Sequence, residues 1–180
     1  MPKLPMPDGL GVKDLECVML EVAPFDIERA MGDAFKQEDL FYGDIPELTY
    51  AQGMVGDHDS HLTLLFGIHP SHDYEMNVHL ALDKWDLPQL LINEIGFFPS
   101  RHEGQDYVTI VAHVGKTAAL LSGHQRLTEL PYSNDYSEYR PHITMAYIKG
   151  TADKKEWLYR LNAAFSHTFV DSIALDLGTD

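Results

Sequence analysis

What this sequence has little of narrows its function first. It has a single cysteine, Cys17, so no internal disulfide can form, and its apolar surroundings make it a thiol of a reducing compartment. No run approaches the roughly 18 apolar residues of a membrane-spanning helix. Basic residues are scarce: 13 Lys and Arg stand against 28 Asp and Glu, a net charge of −15. Long nucleic acids bind through clustered Lys and Arg that release counterions, so this chain is expected to bind no long nucleic acid. A small anion answers only to the local field of a pocket and stays admissible. The N-terminus, MPKLPMPDGLGVKD, has proline instead of an apolar core and is not expected to be a signal peptide. The expectation is a cytoplasmic protein without an obligate protein partner.

What is present is enough for a core: 44% of 180 residues are hydrophobic. Residues 1–14 are expected to form an arm, and 15–180 a single domain. The pattern predicts a strand over 15–23 and a helix from Asp26 with Ile27, Ala30, Met31, Ala34 and Phe35 on one face. A loop is expected from 36 to 60, with a short strand near Leu48–Tyr50. A strand then covers 61–67 and a helix 75–86, with Met76, His79, Leu80 and Leu82 on its apolar side. Strands 91–98 and 107–114 are joined by PSRHEGQD as a hairpin. A helix over 117–130 carries Leu120, Leu121, His124 and Leu127 as its stripe. A tyrosine-rich loop leads to a strand at 142–148, a helix at 152–165, and a last strand at 168–177. Hairpin-like neighbours among interleaved helices favour an α+β fold over a doubly wound parallel sheet.

One motif occurs twice. HLTLLF at 61–66 and HITMAY at 142–147 match position by position, 81 residues apart. In a strand, residues i and i+2 share a face. His61 and Thr63 therefore project together while Leu62 and Leu64 point the other way, and His142 with Thr144 repeats the pattern. On the same alternation Phe66 and Tyr147 belong to the core side. Two imidazoles flanking two hydroxyls suit displacement at phosphorus. One histidine deprotonates the attacking hydroxyl, the other protonates the leaving oxygen, and hydroxyls hold the non-bridging oxygens. This arrangement requires no metal and no cofactor. The sequence leaves open which histidine is base.

The pair HLTL and HITM resembles the double H-x-T signature of the 2H phosphoesterase superfamily, and RPHITM is similar to that family's Pro–His–apolar–Thr entry. The resemblance covers the order of elements from 15 to 177. It implies a bilobal fold with pseudo-two-fold symmetry, in which two antiparallel sheets with helices outside flank a central groove. It also implies that His61 and His142 are the acid–base pair and Thr63 and Thr144 the phosphate-holding hydroxyls. Size, acidity and the stretch DSHLTLLFGIHP most resemble the phage anti-CBASS phosphodiesterase branch, which degrades cyclic oligonucleotide signals in the host cytoplasm. The implied substrate is a small cyclic nucleotide or short oligonucleotide. A 2′,3′-cyclic phosphate RNA end or a 2′,5′-oligoadenylate is the alternative.

Further candidates flank the motifs. Arg140 precedes His142 by two residues and would share its face if the strand starts early. Asp59 has the same offset from His61. Tyr132, Tyr136 and Tyr139 crowd the loop before the second motif, where aromatic faces can stack nucleobases. The run His58, His61, His69, His72 and His79 invites a rival metallohydrolase reading, although HPSH is a turn with no helix to align its rings. A nucleotide-sequestering binding protein is the third reading. His79, His113 and His124 fall on apolar patterns and read as structural histidines.

Overall fold

The computed structural model describes residues 3–43, 60–101 and 103–178. The expected short strand at 48–50, together with His58 and Asp59, lies outside the described residues. The chain runs β1 (Glu16–Val22), α1 (Ile27–Met31), β2 (His61–Ile68), α2 (Tyr74–Ala81), β3 (Gln89–Pro99), β4 (Tyr107–Val114), α3 (Ala118–Leu127), β5 (His142–Lys149), α4 (Lys154–Phe165) and β6 (Phe169–Asp176). This is an α+β fold. Strands pair antiparallel throughout, in the closed order β1-β2-β5-β4-β3-β6.

The element order repeats. β1-α1-β2-α2-β3 and β4-α3-β5-α4-β6 exchange with each other, and the exchange maps the closed strand order onto itself. Helix pairing follows the same rule, because α1 packs on α4 and α2 on α3. The strands that carry the two motifs, β2 and β5, meet through one register pair, Leu62 with Ile143. β3 and β6 meet through three. The two sheets expected from the sequence are thus joined along both margins, thinly at the β2–β5 seam.

Why that seam is short follows from what occupies the rest of each edge. Beyond Leu62, the edge of β2 is taken by the loop that leads to β5. The Ser133 N–H donates to the Gly67 carbonyl (2.9 Å), the Asn134 amide to the Phe66 carbonyl (2.9 Å), and the Tyr139 hydroxyl to the Thr63 carbonyl (2.9 Å). On β5 the Phe41 N–H donates to the Tyr147 carbonyl (2.9 Å), and Leu40 bridges Ile148. Edges that would otherwise invite a further strand are paired within the chain. Gly67 makes the close approach possible. Its φ is +99°, and a Cβ there would stand 2.0 Å from the Ser133 carbonyl oxygen, so only glycine fits. The N-terminal arm joins this loop through Leu4 N–H to the Tyr132 carbonyl (2.9 Å) and Lys3 Nζ to the Tyr136 carbonyl (2.9 Å).

The core lies between the strands and the helices. Leu62, Leu64, Ile143, Met145, Ile110, Leu20 and Ile92 meet Leu120, Leu127, Val78, Met31, Trp157 and Leu161. Each such side chain contributes roughly 1.5–3 kcal/mol on burial. Trp157 also donates its indole N–H to Asp39 (3.2 Å), which satisfies the only polar atom it buries.

Three expectations change. α1 ends at Met31 because Gly32 (φ +55°) breaks it into a 3-10 turn, so the expected long face stops early. α2 is shorter than 75–86 and turns Tyr74 and Val78 inward, leaving Met76 and Leu80 exposed. The alternation Ile173, Leu175, Leu177 is broken where the β1–β6 register shifts between Glu21 and Val22, and Ile173 is left exposed.

Candidate active site

The single β2–β5 pair determines the site's geometry. Leu62 lies opposite Ile143, and both side chains are fully buried on the core face. Pairing across antiparallel strands puts their flanking residues on the other face. The antiparallel register at that pair brings His61 beside Thr144 and Thr63 beside His142. The four residues singled out by the repeat are therefore gathered at one seam on one face, all half-buried.

Both motif strands then bulge at the same motif position. The β1–β2 register slips between Val18 and Met19, which leaves Leu64 without a partner, and the β4–β5 register slips between Ile110 and Val111, which leaves Met145 without one. The slip puts Leu64 and Leu65, and likewise Met145 and Ala146, successively into the core. The residues just after it change face, until in β2 a second slip at Gly67 returns Ile68 to the core. Phe66 and Tyr147, expected on the core side, return to the face of the histidines. Phe66 lines a cavity of about 400 Å³ with Arg101, Tyr136, Asn134 and the N-terminal arm. Tyr147 packs instead with Phe41 and Tyr107 in a second, smaller apolar cluster.

The bulge in β2 is clasped. His124 Nδ1 donates to the Leu64 carbonyl (2.7 Å), and its ring stacks flat on Tyr139 (3.8 Å, 4°), whose hydroxyl takes the Thr63 carbonyl. Burial lowers the His124 pKa against the opposing pull of the Leu64 carbonyl, and burial raises that of Tyr139. His124 is thus a structural histidine, as its apolar pattern indicated. Tyr139 is a structural ring rather than a free stacking platform. Tyr132 packs against the core and bridges Ile68, and only Tyr136 stays exposed, at the cavity rim.

His142 is the best-defined group of the site. A backbone carbonyl can only accept, so its Nδ1, 2.9 Å from the Arg140 carbonyl, carries the hydrogen, and in the neutral ring Nε2 holds the lone pair. Burial lowers its pKa, opposed by that carbonyl and assisted by the charges of His113, Arg101 and His61. Arg140 contributes through its backbone. Its guanidinium is solvent-exposed and paired with Glu138 (2.8 Å).

Two residues on this face carried no functional signal in the sequence. His113 is the direct register partner of His142 on β4. Phe98, on β3, sets its ring at right angles to both imidazoles, 5.7 Å from His113 and 5.1 Å from His142. Period-two alternation places a residue on a face but not beside a particular neighbour, and only pairing brings these three rings together. In the other half Glu21 lies opposite His61. Cys17 lies opposite Phe66, and burial pushes its thiol up to about 11 even though the Thr63 side chain hydrogen-bonds it. It is a protonated bystander.

Of the histidine run expected for a rival metal site, His58 lies outside the described residues, and the described members form no metal site. His69 Nε2 is engaged by the Ser133 hydroxyl (2.7 Å), and among the described residues no group of three or more His, Cys, Asp or Glu is arranged to hold a metal ion. No helix among them is long and apolar enough to cross a membrane.

No protein-family model matches the chain, and no curated protein matches it. Among solved structures, the chain is similar to Usb1 of Kluyveromyces marxianus bound to uridine monophosphate. That match has a TM-score of 0.54 at 9% identity and covers 94% of this chain and 96% of that one. A second Usb1 structure matches with TM-score 0.54 and 8% identity over 93% and 95% of the two chains. At this identity the likeness is one of fold, and the chain shares that fold over nearly its whole length.

Proposed function

We propose that this protein is a 2H-type phosphodiesterase acting on a nucleotide phosphodiester, with His142 as general base and His61 as general acid. The observation that carries this reading is the lone Leu62–Ile143 pair, which gathers His61, Thr63, His142 and Thr144 at one seam. His142 suits the base role because it is held neutral with its Nε2 lone pair available. For a ribose substrate, His142 takes the proton of the 2′-hydroxyl as that oxygen attacks the adjacent 3′-phosphorus. His61 gives a proton to the departing 5′-oxygen. The products are a 2′,3′-cyclic phosphate and a free 5′-hydroxyl, and water can open the ring with the two roles exchanged. Thr63 and Thr144 donate hydrogen bonds to the non-bridging oxygens, where negative charge grows. Two lobes about a pseudo-two-fold axis, with the phosphate in the groove between them, is the architecture this reading needs. The repeated element order agrees with it.

Several features favour a nucleotide over another phosphodiester. Phe66, Tyr136 and Arg101 line a cavity of about 400 Å³ next to the motif strand. A similar fold binds uridine monophosphate. The uridine monophosphate bound by that neighbour favours a ribonucleotide substrate, whereas the narrower sequence resemblance points to a cyclic oligonucleotide in a host cytoplasm. Asp59, Arg140, Tyr132 and Tyr136 remain substrate-contact candidates in this reading, and of the two rings Tyr136 is the exposed one.

Turnover of a panel decides among these: cyclic di- and trinucleotides, 2′,3′-cyclic mononucleotides, 2′,5′-oligoadenylate and short 3′-hydroxyl RNAs, read by mass spectrometry with and without EDTA. Chelator-resistant cleavage that disappears in H61A and H142A supports the reading. Tight binding without turnover would defeat it in favour of a sequestering protein, and activity lost to EDTA would favour a metallohydrolase.

A further inference from the structure

His113 and Phe98 sit on the site face, yet neither belongs to the repeat and the chemistry above uses neither. Their arrangement is specific. His113 faces His142 across the β4–β5 pair, and the Phe98 ring meets both imidazoles edge-on, at 74° and 87°. The space for it is made on β3. Gly96 lies diagonally across from His113, and a Cβ there would stand 2.9 Å from His113 Nε2, so any larger residue would push the ring off its seat. On the far side, Nδ1 of His142 is tied to the Arg140 carbonyl. His142 is thus held by a hydrogen bond at Nδ1 and by an apolar ring packed at right angles to it.

We propose that Phe98 and His113 are positioning residues for His142, a clamp that holds its ring with Nε2 toward the substrate phosphate. The clamp rests on the reading of His142 as general base. Phe98 acts by excluding water and limiting rotation of the ring. His113 acts as a neighbouring imidazole whose protonation opposes that of His142. Other groups acting on His142 are His61 on β2 and Arg101 after β3. Glu94 faces His113 from β3, and the Glu138–Arg140 pair precedes β5. Replacing Phe98 or His113 alters two influences among several, so it shifts the base without abolishing it. The sign is the same for both. Admitting water at Phe98 and removing a possible cation at 113 each favour protonation of His142, so its titration moves up in pH toward about 6.5.

The test uses full-length protein and the variants F98A, F98Y, H113Q and wild type. NMR titration of the His142 ring protons, assigned with H142A, reads the clamp without any substrate. F98A and H113Q are expected to titrate at higher pH than wild type, and F98Y to overlay it. With a cleaved substrate in hand, kcat for F98A is expected to fall about ten- to hundredfold, the scale of an ångström-sized misplacement. KM is expected to change little, and the acidic limb of kcat/KM to move up in pH. If His142 titrates identically in wild type, F98A and H113Q, the clamp is refuted whatever the activity. If the titrations shift but wild type cleaves no phosphodiester, the clamp stands and the proposed function falls.

Discussion

The half that carries His61 and the half that carries His142 are built alike and furnished differently. Each presents His-x-Thr from a strand that bulges at the same motif position, and the edge of each motif strand is covered by the segment that leads to the other motif. Yet His61 faces Glu21, whereas His142 faces His113 and the ring of Phe98. Phe66 lines an open cavity, whereas its counterpart Tyr147 is buried with Phe41 and Tyr107. Repetition of the backbone supplies a pair of equivalent imidazoles. In the proposed function, these unequal neighbours are what would let one act as base and the other as acid.

Removing either imidazole tests the shared part of the comparison most severely. H142A and H61A are each expected to lower kcat/KM about 10²–10⁴-fold, measured on whichever substrate the panel identifies, with circular dichroism showing an unchanged fold. Loss in one variant alone would mean that the halves do not act as a pair.

The glycine-dependent close approach of the His61 half comes next. G67A is expected to cost about 3 kcal/mol in urea unfolding, because a positive φ and a collision with the Ser133 carbonyl are imposed together. Gly67's counterpart, Ile148, is an ordinary strand residue. A wild-type midpoint in G67A would show that the loop 131–136 is not held where the structure puts it. H124A removes the clasp on the β2 bulge and strands the Leu64 carbonyl, at about 1–3 kcal/mol.

A pH series sharpens the comparison further. His142 and His124 both have pKa values lowered by burial, so the unfolded chain takes up protons before the folded one does. Their contribution to stability is present above about pH 6.5 and is lost as pH falls from there through the folded values. The acidic limb of kcat/KM is expected below pH 6.5 for the same reason. A limb above it would reassign the base. The smallest effect is expected at Cys17. C17S should keep near wild-type activity, and iodoacetamide at pH 7 should leave the native thiol unmodified by mass, because a thiol pushed up to about 11 has almost no thiolate.

Much of the candidate site was readable from residue types alone. The four motif residues, the α+β class and the order of elements follow from a period of two and from one repeat at a distance of 81 residues. The faces of Phe66 and Tyr147 were misread because alternation has no means of anticipating a bulge, which depends on the partner strand. Met76 and Leu80 were misread as buried because helix periodicity identifies an apolar stripe but not what covers it. His113 and Phe98 could not be seen beside His142 in the sequence, because cross-strand pairing between distant segments brings them there.

By itself, the sequence determined which side chains repeat and which share a face with them, because a strand's alternation is local and needs no partner. Tertiary structure decided the rest. One register pair between β2 and β5 brought two separate His-x-Thr faces together, and matched bulges moved Phe66 to that face and sent Tyr147 into a cluster of its own. Strand pairing also set a different neighbour beside each histidine. Those are properties of contacts between distant segments, and no local pattern encodes them.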